Sequence, residues 1–124
     1  MTERLALLIC SPTPARPELV VTPLVHALAA RALDAEVEVH FAGPAVRWLV
    51  VGLAESAWAT PAREKSVAAF LDEAAAAGVR FYACGMARAA WIGENECLRA
   101  DAGAAGATAF VARTLDPAWR TLAY

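Results

Sequence analysis

Leu5 to Cys10 reads LALLIC, a continuous apolar run of strand length with no polar face. Such a run reads as a central strand buried on both sides, the situation of a strand in a parallel sheet covered by helices. The next segments supply those helices. The loop Ser11 to Pro17 is too rich in proline for regular structure. Thr22-Pro23 then reads as an N-cap with proline at the first helical position, and Leu24, Val25, Leu28 and Ala32 recur at helical spacing as far as Leu33.

Glu36 to Phe41 alternates strictly, with Val37, Val39 and Phe41 inward and Glu36, Glu38 and His40 outward, which predicts an edge strand with one wetter face. Gly43-Pro44 opens a second helical pattern through Val46, Leu49, Val50 and Leu53, and Glu55 to Thr60 reads as a loop in which Trp58 can reach over the strand ends. Thr60-Pro61 repeats the helix start, with Glu64 complementing the dipole, Val67, Phe70, Leu71, Ala74 and Ala75 forming the buried stripe, and Gly78 closing the helix. Val79 to Ala83 is the next strand, with Val79, Phe81 and Ala83 on one face. Gly93 to Ala102 reads as a loop with a short helical turn, Gly103 to Leu115 as a helix, and Trp119 to Tyr124 as a final short strand. Repeated strand–helix alternation predicts a single α/β domain over residues 1–124 with a parallel sheet between helical layers.

Composition narrows the function classes. The hydrophobic set makes up 59% of the chain, much of it alanine, which points to closely packed helices and some surface buried against another subunit. Charged residues interrupt every stretch long enough for the roughly 20 apolar residues of a membrane span. Glu3 and Arg4 precede only a short apolar run, unlike a signal peptide, so a cytoplasmic location is expected. Three cysteines without a paired framework suit a reducing compartment. A net charge of −2 with scattered basic residues offers no stripe for nucleic acid.

Cys84 is the leading chemical candidate. It ends the strand VRFYA, and the helix formers from Gly85 onward place it at or just before a helix N-terminus. Ligands bind at such strand ends in open parallel sheets, and a helix N-terminus favours thiolate over thiol. The competing reading is a small buried hydrophobe, the usual fate of a free cysteine. Cys10 to Arg16, CSPTPAR, has the cysteine-to-arginine spacing of the phosphate loop of low-molecular-weight tyrosine phosphatases, but Pro12 and Pro14 delete N–H donors that such a loop needs. No pair of ligands at metal spacing occurs among Cys10, Cys84, Cys97, His26 and His40, and no Gly-rich dinucleotide fingerprint comes after the first strand, so neither metal nor cofactor is expected. His40, near the sheet's carboxyl edge, is in place to assist a thiolate, against its reading as an outward-facing strand residue. Cys97 reads as structural, or as a resolving thiol that folds back on Cys84.

The strand EVEVHFAGPAV running into a helix, the cysteine of VRFYACGM and the ending GATAFVARTLDPAWRTLAY together resemble the DsrE/DsrF-like proteins, small domains of the sulfur-relay type. The likeness covers nearly the whole chain and is loosest between Glu55 and Ser66. It implies a three-layer α/β/α sandwich with a mainly parallel sheet of four to five strands, assembly into homotrimers or homohexamers, and sulfur donor and acceptor proteins as partners. It further implies that Cys84 carries sulfur as a persulfide, with Gly85 and Met86 next in the chain and Tyr82, Arg88 and Trp91 lining its pocket. Two other functions stay open: a non-catalytic binding or assembly module of the same fold, and the phosphatase-like loop at Cys10 to Arg16.

Overall fold

The computed structural model describes residues 2–124, so Met1 of the expected domain lies outside the described residues. Strands β1 (Arg4–Ile9), β2 (Glu36–Phe41), β3 (Arg80–Ala83), β4 (Ala102–Ala104) and β5 (Arg120–Ala123) form one sheet in the order β4-β3-β2-β1-β5, and every pairing is parallel. The helices α1 (Glu18–Ala32), α2 (Val67–Ala76), α3 (Gly85–Trp91) and α4 (Ala107–Leu115) each come after one strand and precede the next. From β1 to β4 the chain steps across the sheet in one direction, and it then jumps back past β1 to lay down β5. Right-handed crossovers in opposite directions put their helices on opposite faces. Accordingly α1 and α2 pack together on one face, while α4 lies on the other against β5 and β1. The arrangement is a three-layer α/β/α sandwich.

The core sits under α1 and α2. Leu7, Ile9, Val37, Val39, Phe41 and Phe81 project from the sheet against Val20, Leu24, Val67, Leu71 and Trp48, all buried. The run LALLIC is interior as expected, held between β2 and β5.

β2 is also interior, between β1 and β3, which corrects the expected edge position. Of its polar residues, Glu38 and His40 are buried rather than outward in water. Alternation reports which residues share a face and is silent on what covers that face; here α4 does.

Helix starts also differ. α1 begins at Glu18 after Pro17, with Pro23 inside the helix, and Thr60-Pro61 forms a turn well ahead of α2, whose cap is Ser66. The Gly43-Pro44 pattern folds as a 3-10 helix, Gly43–Leu49, with Ala45, Val46, Trp48 and Leu49 buried. Between Gly93 and Ala102 the chain is loop, and residues 102–104 add the short strand β4.

Candidate functional site

Ile9, Phe41 and Ala83 lie side by side in register, so β1, β2 and β3 end level with one another. Beyond them backbone hydrogen bonds extend the row: Ala42 N–H donates to Ile9 O at 2.9 Å, Cys84 N–H to Phe41 O at 3.0 Å, and Ala105 N–H to Ala83 O at 3.2 Å. β3 then leads into α3 on the core face, whereas β4 leads into α4 on the opposite face. Diverging connections of this kind open a crevice at the carboxyl ends of parallel strands.

The crevice is a cavity of about 190 Å³. Leu8, His40 and Phe41 form its floor, Cys84 one wall, and Phe110 and Val111 of α4 its cover, with Ala105–Ala107 at the turn between. Cys84 is half-buried and stands at the N-cap of α3 with an extended backbone, φ −66° and ψ 129°. A larger open groove of about 630 Å³ lies elsewhere, lined by Pro14, Pro17, Trp58 and Pro61. It contains no thiol and no imidazole, so the smaller cavity is the chemical candidate.

Beneath the cavity lies a buried polar cluster. His40 donates through Nε2 to Glu38 Oε1 at 3.1 Å, and its ring stacks on Tyr82 with centroids 5.1 Å apart and meets the Phe110 ring edge-on at 5.4 Å. Arg113 of α4 grips Glu38 with both branches of its guanidinium, Nε to Oε1 at 3.1 Å and Nη2 to Oε2 at 2.9 Å. Arg80 adds a contact to Oε2 at 3.4 Å, and Arg113 in turn lies 4.1 Å over the Trp119 ring. Burial works to raise the Glu38 carboxyl, but the hydrogen bonds from Arg113 and His40 outweigh it and hold the group below its ordinary range. His40 Nδ1 is buried and has no hydrogen-bond partner among the described residues.

The predicted site residues separate into two sets. Cys84 lines the cavity, and Tyr82 supports it through the His40 ring. Gly85, Met86 and Arg88 are exposed on α3, with Met86 83% accessible, and the Trp91 carbonyl accepts from Arg47 Nη1 at 2.8 Å; none of these lines the cavity. Cys10 follows β1 directly, separated from Cys84 by the whole of β2 and therefore by about 10 Å of sheet, too far for a disulfide. Its thiol donates to Tyr124 O at 3.4 Å. The N–H groups of Cys10 and Ser11 also donate to Tyr124 O, Arg16 N–H donates to Thr13 O, and the Arg16 guanidinium is paired with Glu18, so these donors of a phosphate loop are already engaged. Cys97 is exposed in the loop after α3, where its carbonyl accepts from Val51 N–H at 2.8 Å. Among the described residues no group of three His, Cys, Asp or Glu side chains is placed to hold a metal ion.

The sequence pattern points His40 outward and singles out neither Glu38 nor Arg113. The one signal it does contain is a glutamate two positions before a histidine in the middle of a strand, a pairing that puts both on one face.

No curated protein matches the chain. Among solved structures, the YchN protein of E. coli superposes with a TM-score of 0.76 at 15% identity, covering 100% of both chains. MTH1491 of Methanobacterium thermoautotrophicum, a protein of unknown function, superposes with a TM-score of 0.66 at 19% identity, covering 98% of this chain and 99% of its own. Both share the fold. The model of the DsrE/DsrF-like family matches residues 4–124, and the chain belongs to that family.

Proposed function

We propose that the chain is a single-domain cytoplasmic sulfur carrier that works through a persulfide on Cys84. The observation that carries this reading is the position of Cys84, half-buried at the carboxyl end of β3 and open to the cavity. The Cys84 thiolate attacks the outer sulfur of a donor persulfide, R–S–SH. The S–S bond of the donor breaks, R–S⁻ leaves, and Cys84–S–SH forms. An acceptor thiolate then attacks that outer sulfur, and Cys84 departs as thiolate. Donor and acceptor are partner proteins, and the carrier itself is a homotrimer or homohexamer. Gly85, Met86, Arg88 and Trp91, exposed beside Cys84 on α3, are the surface that such a partner meets.

Incubation with a persulfide donor and then intact-mass measurement is expected to show one added sulfur that Cys84→Ser abolishes. Retention of the added sulfur in the variant would refute the role of Cys84. The open apolar surface of α4 favours a second reading, an assembly module in which Cys84 is chemically idle. Alkylation rate against pH separates the two, since an inert thiol supports the module.

A further inference from the structure

The cavity beside Cys84 is apolar over nearly all its surface, and its large side chains besides His40 are Leu8, Phe41, Phe110 and Val111. Among the described residues, none that lines it is Lys, Arg, Asp or Glu. His40 is only 5% exposed, and the charges beneath it, Glu38 and Arg113, are bonded to each other. The groove along α3 and the loop after it is different. It has a volume of about 400 Å³, and Arg88, Glu94 and Glu96 bring both signs of charge to its lining. Glu96 is held by Arg47, whereas Arg88 and Glu94 are exposed.

A group that comes into contact with Cys84 through the cavity leaves water behind. For a charged group with no partner inside, that step is strongly unfavourable, and desolvation penalises cations and anions alike. A charge on the same molecule is better placed outside, where Arg88 and Glu94 stay in water. Size sets a second limit. An apolar cavity of 150 Å³ accommodates benzene, so about 190 Å³ corresponds to roughly seven non-hydrogen atoms. The side chain of a cysteine persulfide, –CH₂–S–SH, takes up fewer than half of these and leaves room for one small aliphatic neighbour.

We propose that the cavity fixes the class of sulfur partner at Cys84: the partner protein presents its sulfur on a small, uncharged, aliphatic tip and keeps its charged contacts for the surface that meets α3. This rests on the persulfide reading for the sulfur that is transferred, but its test needs no persulfide. A Cys84 that selects by charge and size yet takes up no sulfur would remove the persulfide reading alone. A Cys84 that forms a persulfide without such selectivity would remove the present proposal alone.

The probes are methanethiosulfonates, CH₃SO₂–S–R, applied to the full chain. The Cys84 thiolate attacks the sulfur that bears R, the S–S bond breaks, methanesulfinate leaves, and Cys84–S–S–R forms. Cys97, exposed in the same chain, reports the intrinsic rate of each reagent. The 3,3-dimethylbutyl group has the shape of trimethylammonioethyl without its charge, and its Cys84-to-Cys97 rate ratio, read by peptide mass spectrometry, should be about tenfold higher. Sulfonatoethyl should also fall below 3,3-dimethylbutyl, and a drop for both signs of charge reports desolvation rather than the field of the protein. Blocked Ala-Cys-Ala and Glu-Cys-Glu peptides, activated as mixed disulfides with thionitrobenzoate, carry the comparison to a protein tip, and Cys84 should prefer the alanine peptide. Val111→Phe fills the cavity from α4 and should slow 3,3-dimethylbutyl transfer to Cys84 while leaving Cys97 unchanged. Should that variant fold poorly, saturating toluene in the parent protein should slow the same transfer. Equal ratios for 3,3-dimethylbutyl and trimethylammonioethyl, a preference for either charged reagent, no preference between the peptides, or a Cys84 rate indifferent to both Val111→Phe and toluene would each overturn the proposal.

Discussion

Glu38 receives hydrogen bonds from Arg113, Arg80 and His40 while almost wholly buried. Because its folded-state pKa lies below the ordinary 4.5, it contributes stability above about pH 4.5 and loses that contribution as the pH falls through the folded value. Glu96 behaves in the same sense but lower, held at about 2 by Arg47 and the Gly93 N–H. Glu38→Gln leaves two guanidiniums short of a charge; because Arg113 and Arg80 are both more than a third exposed, the cost falls below that of a fully buried pair, at about 1–3 kcal/mol. Urea unfolding near neutral pH should show that loss, and the gap to the parent should shrink as the pH is lowered from about 4.5 through the folded value. Cys84 is legible in the sequence because a short β-favouring run and the helix formers behind it fix where a strand ends. The Glu38 cluster is not, because its main partner, Arg113, is 75 residues away and only the fold brings it near.

Elements are legible wherever apolar periodicity decides them, and less so where capping does. All five strands fall at or near their expected places except β4, whose AGA sequence carries no strand signal. For α2 the buried stripe Val67, Leu71 and Ala74 lies where periodicity puts it, but the helix does not start at Thr60-Pro61. That dipeptide suits a turn as well as a cap, and Arg63, at φ +54°, breaks the chain before a helix can propagate. The working cap is Ser66, whose Oγ accepts from Ala69 N–H at 3.1 Å. Ser66→Ala should therefore cost about 1 kcal/mol in chemical denaturation, while Thr60→Ala should change stability by less than half of that. Equal effects from the two variants would place the helix start where the sequence alone suggests.

At the scale of the whole molecule the two faces of the sheet are unequal. α1, α2 and the 3-10 helix bury a continuous core, whereas α4 has no fully buried residue and leaves Val111 49% and Leu115 78% exposed. A second copy of the chain is the occupant that the proposed assembly puts on this face. Leu115→Glu should then convert the oligomer to monomer in sedimentation velocity with its circular dichroism unchanged, and a parent protein that already sediments as a monomer would remove the assembly from the proposal. The pairing of β5 with β1 has a kinetic consequence. Leu8 aligns with Ala123, so one edge of the most apolar strand in the chain gains its neighbour only when the last strand has been made. Contacts this distant in sequence form slowly. Until they form, LALLIC presents an unpaired edge, the kind of surface on which newly made chains aggregate.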